Sequence, residues 1–189
     1  MKAVWILLGT IVLVGALSFG SYRSAQNQMV AKDQDMRAAL SNIDVELQRR
    51  ADLIPNLVAT VKGYAKVEEN ILTAIANARA GLLTGTPQEK LQANERLNVA
   101  LLPLLRMQEN YPDLKSNQQF MRLQDELAGT ENRIQVARLR YNSAVRDYNV
   151  YIQQFPNTIW ANVAGFHPKE EYYAADASSK TAPKVDFSK

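Results

Sequence analysis

The sequence has no cysteine and a single histidine, and these absences remove several kinds of chemistry. Without cysteine the chain forms no disulfide, no thiolate nucleophile and no cysteine zinc site. One histidine, His167, excludes a histidine-rich zinc site, and the Glu-x-x-His pairs of di-iron bundles are missing. A Ser-His-Asp arrangement would have to use His167 in the C-terminal tail. We therefore predict no metal, no cofactor and no enzymatic activity.

Long runs of one charge are also lacking. The chain has 22 basic and 19 acidic residues, for a net charge of +3, and the two signs are interspersed. Nucleic-acid binding needs a basic stripe, so we predict no nucleic-acid partner. Paired carboxylates such as Asp125 and Glu126 are expected on a solvated face. A membrane-bound hydrolase that uses carboxylates is the least favoured alternative.

One segment has no charge at all: residues 3–19, AVWILLGTIVLVGALSF. About 17 helical residues span about 25 Å, close to the short limit for a hydrocarbon core of roughly 30 Å. Trp5 and Tyr22 stand at the two ends, where amphipathic rings favour the interface. We predict a transmembrane anchor over residues 1–22. A cleaved signal peptide is the alternative, with Ala16-Leu17-Ser18 resembling a cleavage site.

Basic residues near this segment indicate its orientation. Lys2 stands alone before it, whereas Arg23, Lys32 and Arg37 follow it. The positive-inside rule therefore favours a cytoplasmic location for the bulk of the chain, in a single-pass protein.

From Met36 to Leu82 the apolar residues recur in alternating steps of four and three, the heptad pattern of packed helices. Pro55 falls inside this run and is predicted to split the helix, because proline lacks an N–H and clashes with a carbonyl. Asp52 is then expected to cap a helix that restarts near residue 53, and Asn56 to satisfy the carbonyl that Pro55 frees.

Two further helices follow. Thr86-Pro87-Gln88-Glu89 is predicted to start the first with a capping box, and Pro103 is expected to kink it. Ser116 to Gln119 is predicted as a second capping box, at the start of a helix of almost 40 residues that ends at Pro156.

These elements predict an all-α protein, with an N-terminal transmembrane helix followed by an elongated antiparallel three- to four-helix bundle over residues 23–155. Residues 156–173 are predicted to dock on the bundle, with binding of a partner as the less favoured alternative, and residues 174–189 are predicted to be disordered.

Polar residues on the seams are the candidate functional residues. Arg50 and Glu68 lie about 27 Å apart along a helix, so each needs a partner elsewhere, and Glu131 and Arg133 are the candidates. We interpret them as an inter-helix polar layer that fixes register; the alternative is a ligand site inside the bundle. Tyr-Asn pairs repeat at seven residues, and their rings are expected to be buried with the hydroxyls reaching rim partners. A cofactor-binding stripe is the less favoured reading. The full candidate set is Arg50, Asp52, Pro55, Asn56, Glu68, Glu131, Asn132, Arg133, Tyr141, Asn142, Tyr148 and Asn149.

Several ordered motifs resemble one family. They are IDV at 43–45, RRADLIPNLV at 49–58, VKGYA at 61–65, ENYPDLK at 109–115, TENRI at 130–134, the two Tyr-Asn pairs, and FP at 155–156. Together these motifs resemble the LemA family of bacterial membrane-anchored helical proteins, over roughly residues 42–166. The resemblance implies an N-terminal transmembrane helix, a helical bundle and a place in the bacterial cytoplasmic (inner) membrane. It brings no catalytic residues.

We therefore predict a non-enzymatic, membrane-tethered scaffold or adaptor that mediates protein–protein association. Its protein partners are not named by the sequence, and its long seams are compatible with homo-oligomerisation. The alternative is a ligand- or signal-sensing bundle that uses the internal polar layer.

Overall fold

A computed structural model of the chain describes residues 2–170 and 172–173. Every regular element in this part is a helix, which confirms the predicted all-α class. A short 3-10 turn, Met107–Glu109, follows the third helix. The predicted disorder of residues 174–189 lies outside the described residues. The helices are α1 (Lys2–Lys62), α2 (Glu69–Leu83), α3 (Pro87–Arg106), α4 (Pro112–Lys115), α5 (Gln118–Gln153) and α6 (Asn157–Ala164).

Pro55 lies inside α1 without ending it. The helix runs unbroken for 61 residues, about 90 Å, so the predicted split at Pro55 is wrong. Proline offers no N–H to the carbonyl four residues earlier, which is that of Ala51. That carbonyl instead accepts a hydrogen bond from Arg79 Nε of α2, at 2.7 Å. A donor from a neighbouring helix thus compensates for the missing backbone bond.

The roles predicted for Asp52 and Asn56 are therefore wrong as well. Because the helix does not restart, it has no free N–H groups for Asp52 to cap, and this carboxylate accepts a bond from Gln48 Nε2 at 3.0 Å. Asn56 lies exposed on α1, and its own carbonyl accepts a bond from the Thr60 hydroxyl at 2.8 Å.

The first long run breaks after Lys62 instead. The carbonyl of Val61 accepts bonds from the N–H groups of Tyr64 and Ala65, at 3.0 and 2.9 Å, which closes the helix end. Glu68 comes after this break, at the N-cap of α2, where it is exposed and makes no side-chain cap bond. Its predicted seam position is wrong because the heptad phase does not continue through the break.

The capping box that starts α3 is confirmed. The Glu89 N–H donates to the Thr86 hydroxyl at 3.3 Å, and the Thr86 N–H donates to the Glu89 carboxylate at 2.6 Å. Pro87 occupies the first turn, where its missing N–H costs nothing. Pro103 lies within α3, which continues to Arg106.

The capping box predicted at the start of α5 is wrong by one residue. Asn117, not Ser116, accepts the N–H of Phe120 at 2.9 Å. Ser116 donates its hydroxyl to the Asp113 carbonyl, at 3.1 Å. Asparagine is as good an N-cap as serine, so the pattern alone does not choose between them.

The described residues form two compact units, residues 31–140 and residues 2–30 with 141–170 and 172–173. In the first unit α1, α2, α3 and α5 form the helical bundle predicted from the sequence. Antiparallel packing of α1 and α5 follows from two contacts, Tyr64 with Asn117 and Glu46 with Arg133. The fully buried core of this unit includes Ile43, Leu47, Ile54, Leu57, Leu82, Leu97, Leu104, Leu114, Phe120 and Ile134.

In the second unit, residues of α1, α5 and α6 share one apolar cluster. Its buried members are Ala25 and Met29 of α1, Tyr148 and Ile152 of α5, and Ala161 of α6. The buried face of α5 in this unit includes Tyr148 and Ile152, and Tyr151 is partly buried against the same cluster. The residues of α1 and α6 that pack against this part of α5 determine which of its side chains are buried.

Residues 3–19 of α1 are exposed along their length. No residue of the most apolar 18-residue window is buried, and α1 is the one helix of the described part that is long and apolar enough to cross a membrane. Side chains such as Trp5 and Val12 therefore lack a protein environment. This segment indicates association with a membrane.

Candidate functional site

A polar layer made of Arg50, Asn94, Asn98 and Glu131 crosses the interior of the 31–140 unit. The Arg50 side chain on α1 is buried, and one of its terminal nitrogens donates to the Asn94 carboxamide at 2.6 Å and to the Glu131 carboxylate. Its other terminal nitrogen donates to Asn98. Three helices, α1, α3 and α5, are thus joined through one guanidinium.

The Glu131 carboxylate receives further hydrogen bonds besides those of Arg50. Asn94 Nδ2 donates to it at 3.0 Å, and Gln135 Nε2 donates at 2.9 Å. Burial by itself raises the pKa of Glu131, but these amide bonds and the charge of Arg50 outweigh burial and leave the pKa below its usual value. Burial lowers the pKa of Arg50, yet a guanidinium remains protonated at neutral pH. The layer therefore holds a charged, hydrogen-bonded ion pair.

Ion pairs on the surface of this unit are of a different kind. Lys90 lies 2.8 Å from Asp44, and Arg133 lies 2.8 Å from Glu46. Arg133 was predicted as a partner for the seam residues, but it pairs with Glu46, and the prediction is wrong because its side chain projects outside the layer. Asn132 is exposed and lines the groove between α1 and α5. Such exposed pairs contribute about 0–1 kcal/mol each.

An open cleft of about 440 Å³ lies against the layer. Arg50, Asn98 and Glu131 form its polar part, and leucines 101, 102, 105 and 127 form much of its apolar part. Within the described residues, no group of three His, Asp or Glu side chains is placed to hold a metal ion. The cleft thus offers apolar contact beside a neutralised ion pair.

The two Tyr-Asn pairs form a second site, in the other compact unit. Each asparagine bonds both main-chain groups of one residue in the C-terminal strap, which we define as residues 167–170 and 172–173. Asn149 donates to the Lys169 carbonyl at 2.7 Å and accepts the Lys169 N–H at 2.8 Å. Asn142 does the same for Tyr173, at 2.9 Å both ways. Each side-chain amide thus imitates the edge of a β-strand.

The tyrosines of these pairs hold the same strap. Tyr148 is buried and donates its hydroxyl to the His167 carbonyl at 3.1 Å. Tyr141 is also buried, and its ring lies 4.8 Å from the ring of Tyr173, measured between centroids. The repeat therefore attaches a strap to α5.

Asn94, Asn98 and Arg79 are not among the residues that the sequence predicts. Asn94 had a usable signal, since it lies three residues after Leu91 and three before Leu97 on the buried face of α3. Arg79 had none, because its role depends on α2 lying beside the carbonyl that Pro55 frees on α1.

Comparisons with known proteins agree with the motifs. The family model that matches is that of the LemA family, over residues 39–187. Magnetosome protein MamQ 1 of Paramagnetospirillum magneticum is 26% identical over 182 residues, covering 82% of this chain and 66% of that protein. The protein MamQ of Magnetospirillum gryphiswaldense is 26% identical over 178 residues, covering 80% of this chain and 65% of that protein.

Protein LemA of Metamycoplasma hominis is 22% identical over 164 residues, covering 86% of this chain and 73% of that protein. The chain spans slightly less than two thirds of the length of the MamQ proteins that it matches. The family model covers most of the chain, from the residues before the polar layer to beyond the strap, and the chain belongs to the LemA family.

Proposed function

We propose that this protein is a non-enzymatic, membrane-tethered helical scaffold or adaptor that associates with other proteins. The observation that carries the proposal is the wholly exposed apolar window of α1, on a chain whose other helices bury their seams. An uncovered apolar helix of this length is stable in lipid, where its backbone bonds are all internal. The main charged group of the bundle interior, Arg50, is meanwhile occupied by Glu131 and is not poised for chemistry.

A groove between α1 and α5 supports protein association. Val45 and Val136 line it and are 61% and 46% exposed, and Leu139, three residues after Val136, is 69% exposed. The groove has a volume of about 430 Å³. Apolar side chains grouped on a surface mark interaction sites more often than single ones do. A second copy of the chain or another protein would cover them, and homo-oligomerisation belongs to the proposal.

We place the protein in the bacterial inner membrane as a single-pass protein, with the bundle in the cytoplasm. The basic residues that follow the apolar segment support this side. Since the chain has no cysteine, a Lys66→Cys variant carries one exposed thiol. A membrane-impermeant maleimide should leave that thiol unlabelled in intact cells and label it after lysis. Labelling in intact cells would contradict a cytoplasmic bundle.

Photo-crosslinking in living cells tests the association. A photoreactive amino acid at Leu139 should give adducts of higher mass with a partner or a second copy. The matched control is the exposed position Arg122, on the same helix but away from the groove residues, where adducts should be weak or absent. If Leu139 gives no adducts and the detergent-extracted protein is a strict monomer at every concentration, the scaffold proposal fails.

The cleft beside the polar layer favours one second candidate, a ligand- or signal-sensing bundle. A ligand in this cleft would contact Asn98 and Glu131. A small molecule that binds there would stabilise the bundle more as its concentration rises. Leu102→Trp, which fills the cleft from an exposed position, would abolish that stabilisation. Thermal-shift screening of the folded variant against the natural protein separates this candidate from the scaffold.

A further inference from the structure

The last helix, α6, has an exposed apolar face. Ile159 and Val163 are four residues apart, so they lie on the same side of the helix, and they are 47% and 69% exposed. Phe155, in the turn just before α6, is 81% exposed. Singly exposed apolar residues are ordinary. Here Ile159 and Val163 share one exposed face of α6, and a third exposed apolar residue, Phe155, lies in the turn directly before the helix.

Charge is missing from the whole of this region. No residue from 148 to 168 is Asp, Glu, Lys or Arg, although 22% of the chain is charged. A helix that faces water on one side usually has charged or strongly polar residues there. A helix whose outer side is apolar and uncharged is suited instead to the boundary between lipid headgroups and acyl chains.

Contacts within this compact unit place α6 beside the end of the apolar segment of α1. The Trp160 ring packs edge-on against the ring of Tyr22, with 5.6 Å between centroids. Tyr22 lies only three residues, about 4.5 Å, beyond Phe19, and the Arg23 guanidinium lies 5.8 Å from the Phe19 ring centroid. Aromatic rings and a cation grouped at the end of an apolar span are typical of a membrane interface.

We propose that α6 and the turn before it form a lipid-contacting foot, which we define as residues 155–163. Its Phe155, Ile159 and Val163 side chains enter the headgroup region of the leaflet from which α1 emerges. This proposal rests on the membrane-spanning role proposed for α1. The two tryptophans of the chain then mark the two interfaces, Trp5 at one end of the span and Trp160 at the other.

Such a foot would also compensate for the short apolar segment of the anchor. The apolar segment spans about 25 Å, less than the roughly 30 Å of a typical hydrocarbon core. Short spans draw flanking residues toward the bilayer. The apolar residues of the foot lie beside Tyr22. Their transfer into the interface is favourable, so this end of the span can be drawn toward the bilayer without burying charge.

Nitroxide labels on single cysteines test the foot in the full-length chain, reconstituted in vesicles of equal parts phosphatidylcholine and phosphatidylglycerol. The variants are Val163→Cys on α6, Leu13→Cys in the anchor, and Val99→Cys as a matched control. Val99 is a valine on α3 that is 68% exposed, against 69% for Val163. Each label's collision rates are measured with oxygen, which concentrates in lipid, and with a water-soluble nickel chelate.

The ratio of the oxygen rate to the nickel rate should be several-fold higher at positions 163 and 13 than at position 99. A high ratio at position 13 with equal, low ratios at positions 163 and 99 would overturn the foot and leave the anchor standing. Low ratios at all three positions would overturn the anchor and the foot together.

Discussion

Neighbouring arginines on α1 have opposite surroundings. The Arg50 side chain is 5% exposed and pairs with Glu131, whereas the Arg49 side chain is 56% exposed and lies 3.9 Å from Glu126. The difference follows from helix geometry, because adjacent residues point about 100° apart and only one of them lies on the buried face. The same residue type at two neighbouring positions therefore contributes differently to stability.

Replacing each arginine by methionine measures this difference. Arg50→Met should lower the free energy of unfolding by about 3 kcal/mol, since it leaves the partly buried Glu131 without its cation. Arg49→Met should change it by no more than about 0.5 kcal/mol. Chemical denaturation of the two variants gives both values. Equal, small effects would contradict the burial of Arg50.

Arg79 and Pro55 form a coupled pair through the Ala51 carbonyl. Arg79→Met removes the donor to this partly buried carbonyl, and we expect a loss of about 1–3 kcal/mol in the free energy of unfolding. In a Pro55→Ala background the new N–H can bond the same carbonyl, so Arg79→Met should cost clearly less. A double-mutant cycle gives the coupling. Equal costs in the two backgrounds would show that Arg79 acts in some other way.

Close packing of α2 on α3 depends on a glycine. A Cβ atom at Gly81 would lie 2.8 Å from the Cβ atom of Ala93, a contact that requires one helix to move. Helical glycine ordinarily weakens a helix relative to alanine. At this position the gain in helix propensity is opposed by the loss of packing between the two helices.

Replacing each of two glycines by alanine should therefore change the free energy of unfolding in opposite directions. Gly129→Ala on α5 meets only the end of the flexible Arg133 side chain, at 3.3 Å, and should raise the free energy of unfolding by about 0.5–1 kcal/mol. Gly81→Ala should lower it by about 1–3 kcal/mol, the usual cost of overpacking. Thermal denaturation of both variants provides the comparison. If both variants gained stability, the close approach of α2 and α3 would be refuted.

Only some of the helix ends can be predicted from the sequence. The capping box at Thr86 and Glu89 needs only local residues, so it could be predicted from the sequence. Pro55 was misplaced as a break because its tolerance depends on Arg79, which lies on another helix. The break after Lys62 is not predicted, because the four-three spacing of the sequence runs on through Tyr64 and Ile71, although the structure buries Ala65 and Val67 of the loop instead of Tyr64.

For the whole molecule, the class, the apolar anchor segment and the bundle follow from the sequence, because they depend on periodicity and composition. The site was only half predictable. Arg50 stands on a seam and Glu131 flanks the seam residue Thr130, and their meeting follows from antiparallel packing of α1 and α5. Asn98 and the main-chain partners of Asn142 and Asn149 could not be predicted, because nothing in a heptad pattern says which helix supplies an amide or which residues of an irregular segment it meets.

The strap held by Asn142 and Asn149 has a consequence for how the sequence can change through evolution. Both asparagines bind main-chain groups, so Lys169 can be exchanged for other residues without losing a hydrogen bond. The length of the strap is not free in this way. The two asparagines lie about 10 Å apart along α5, and the four steps from Lys169 to Tyr173 reach at most about 14 Å. Inherited substitutions should accumulate at this position, whereas a deletion inside the strap would leave three steps, which reach about 10 Å and would have to be almost fully extended to hold both ends.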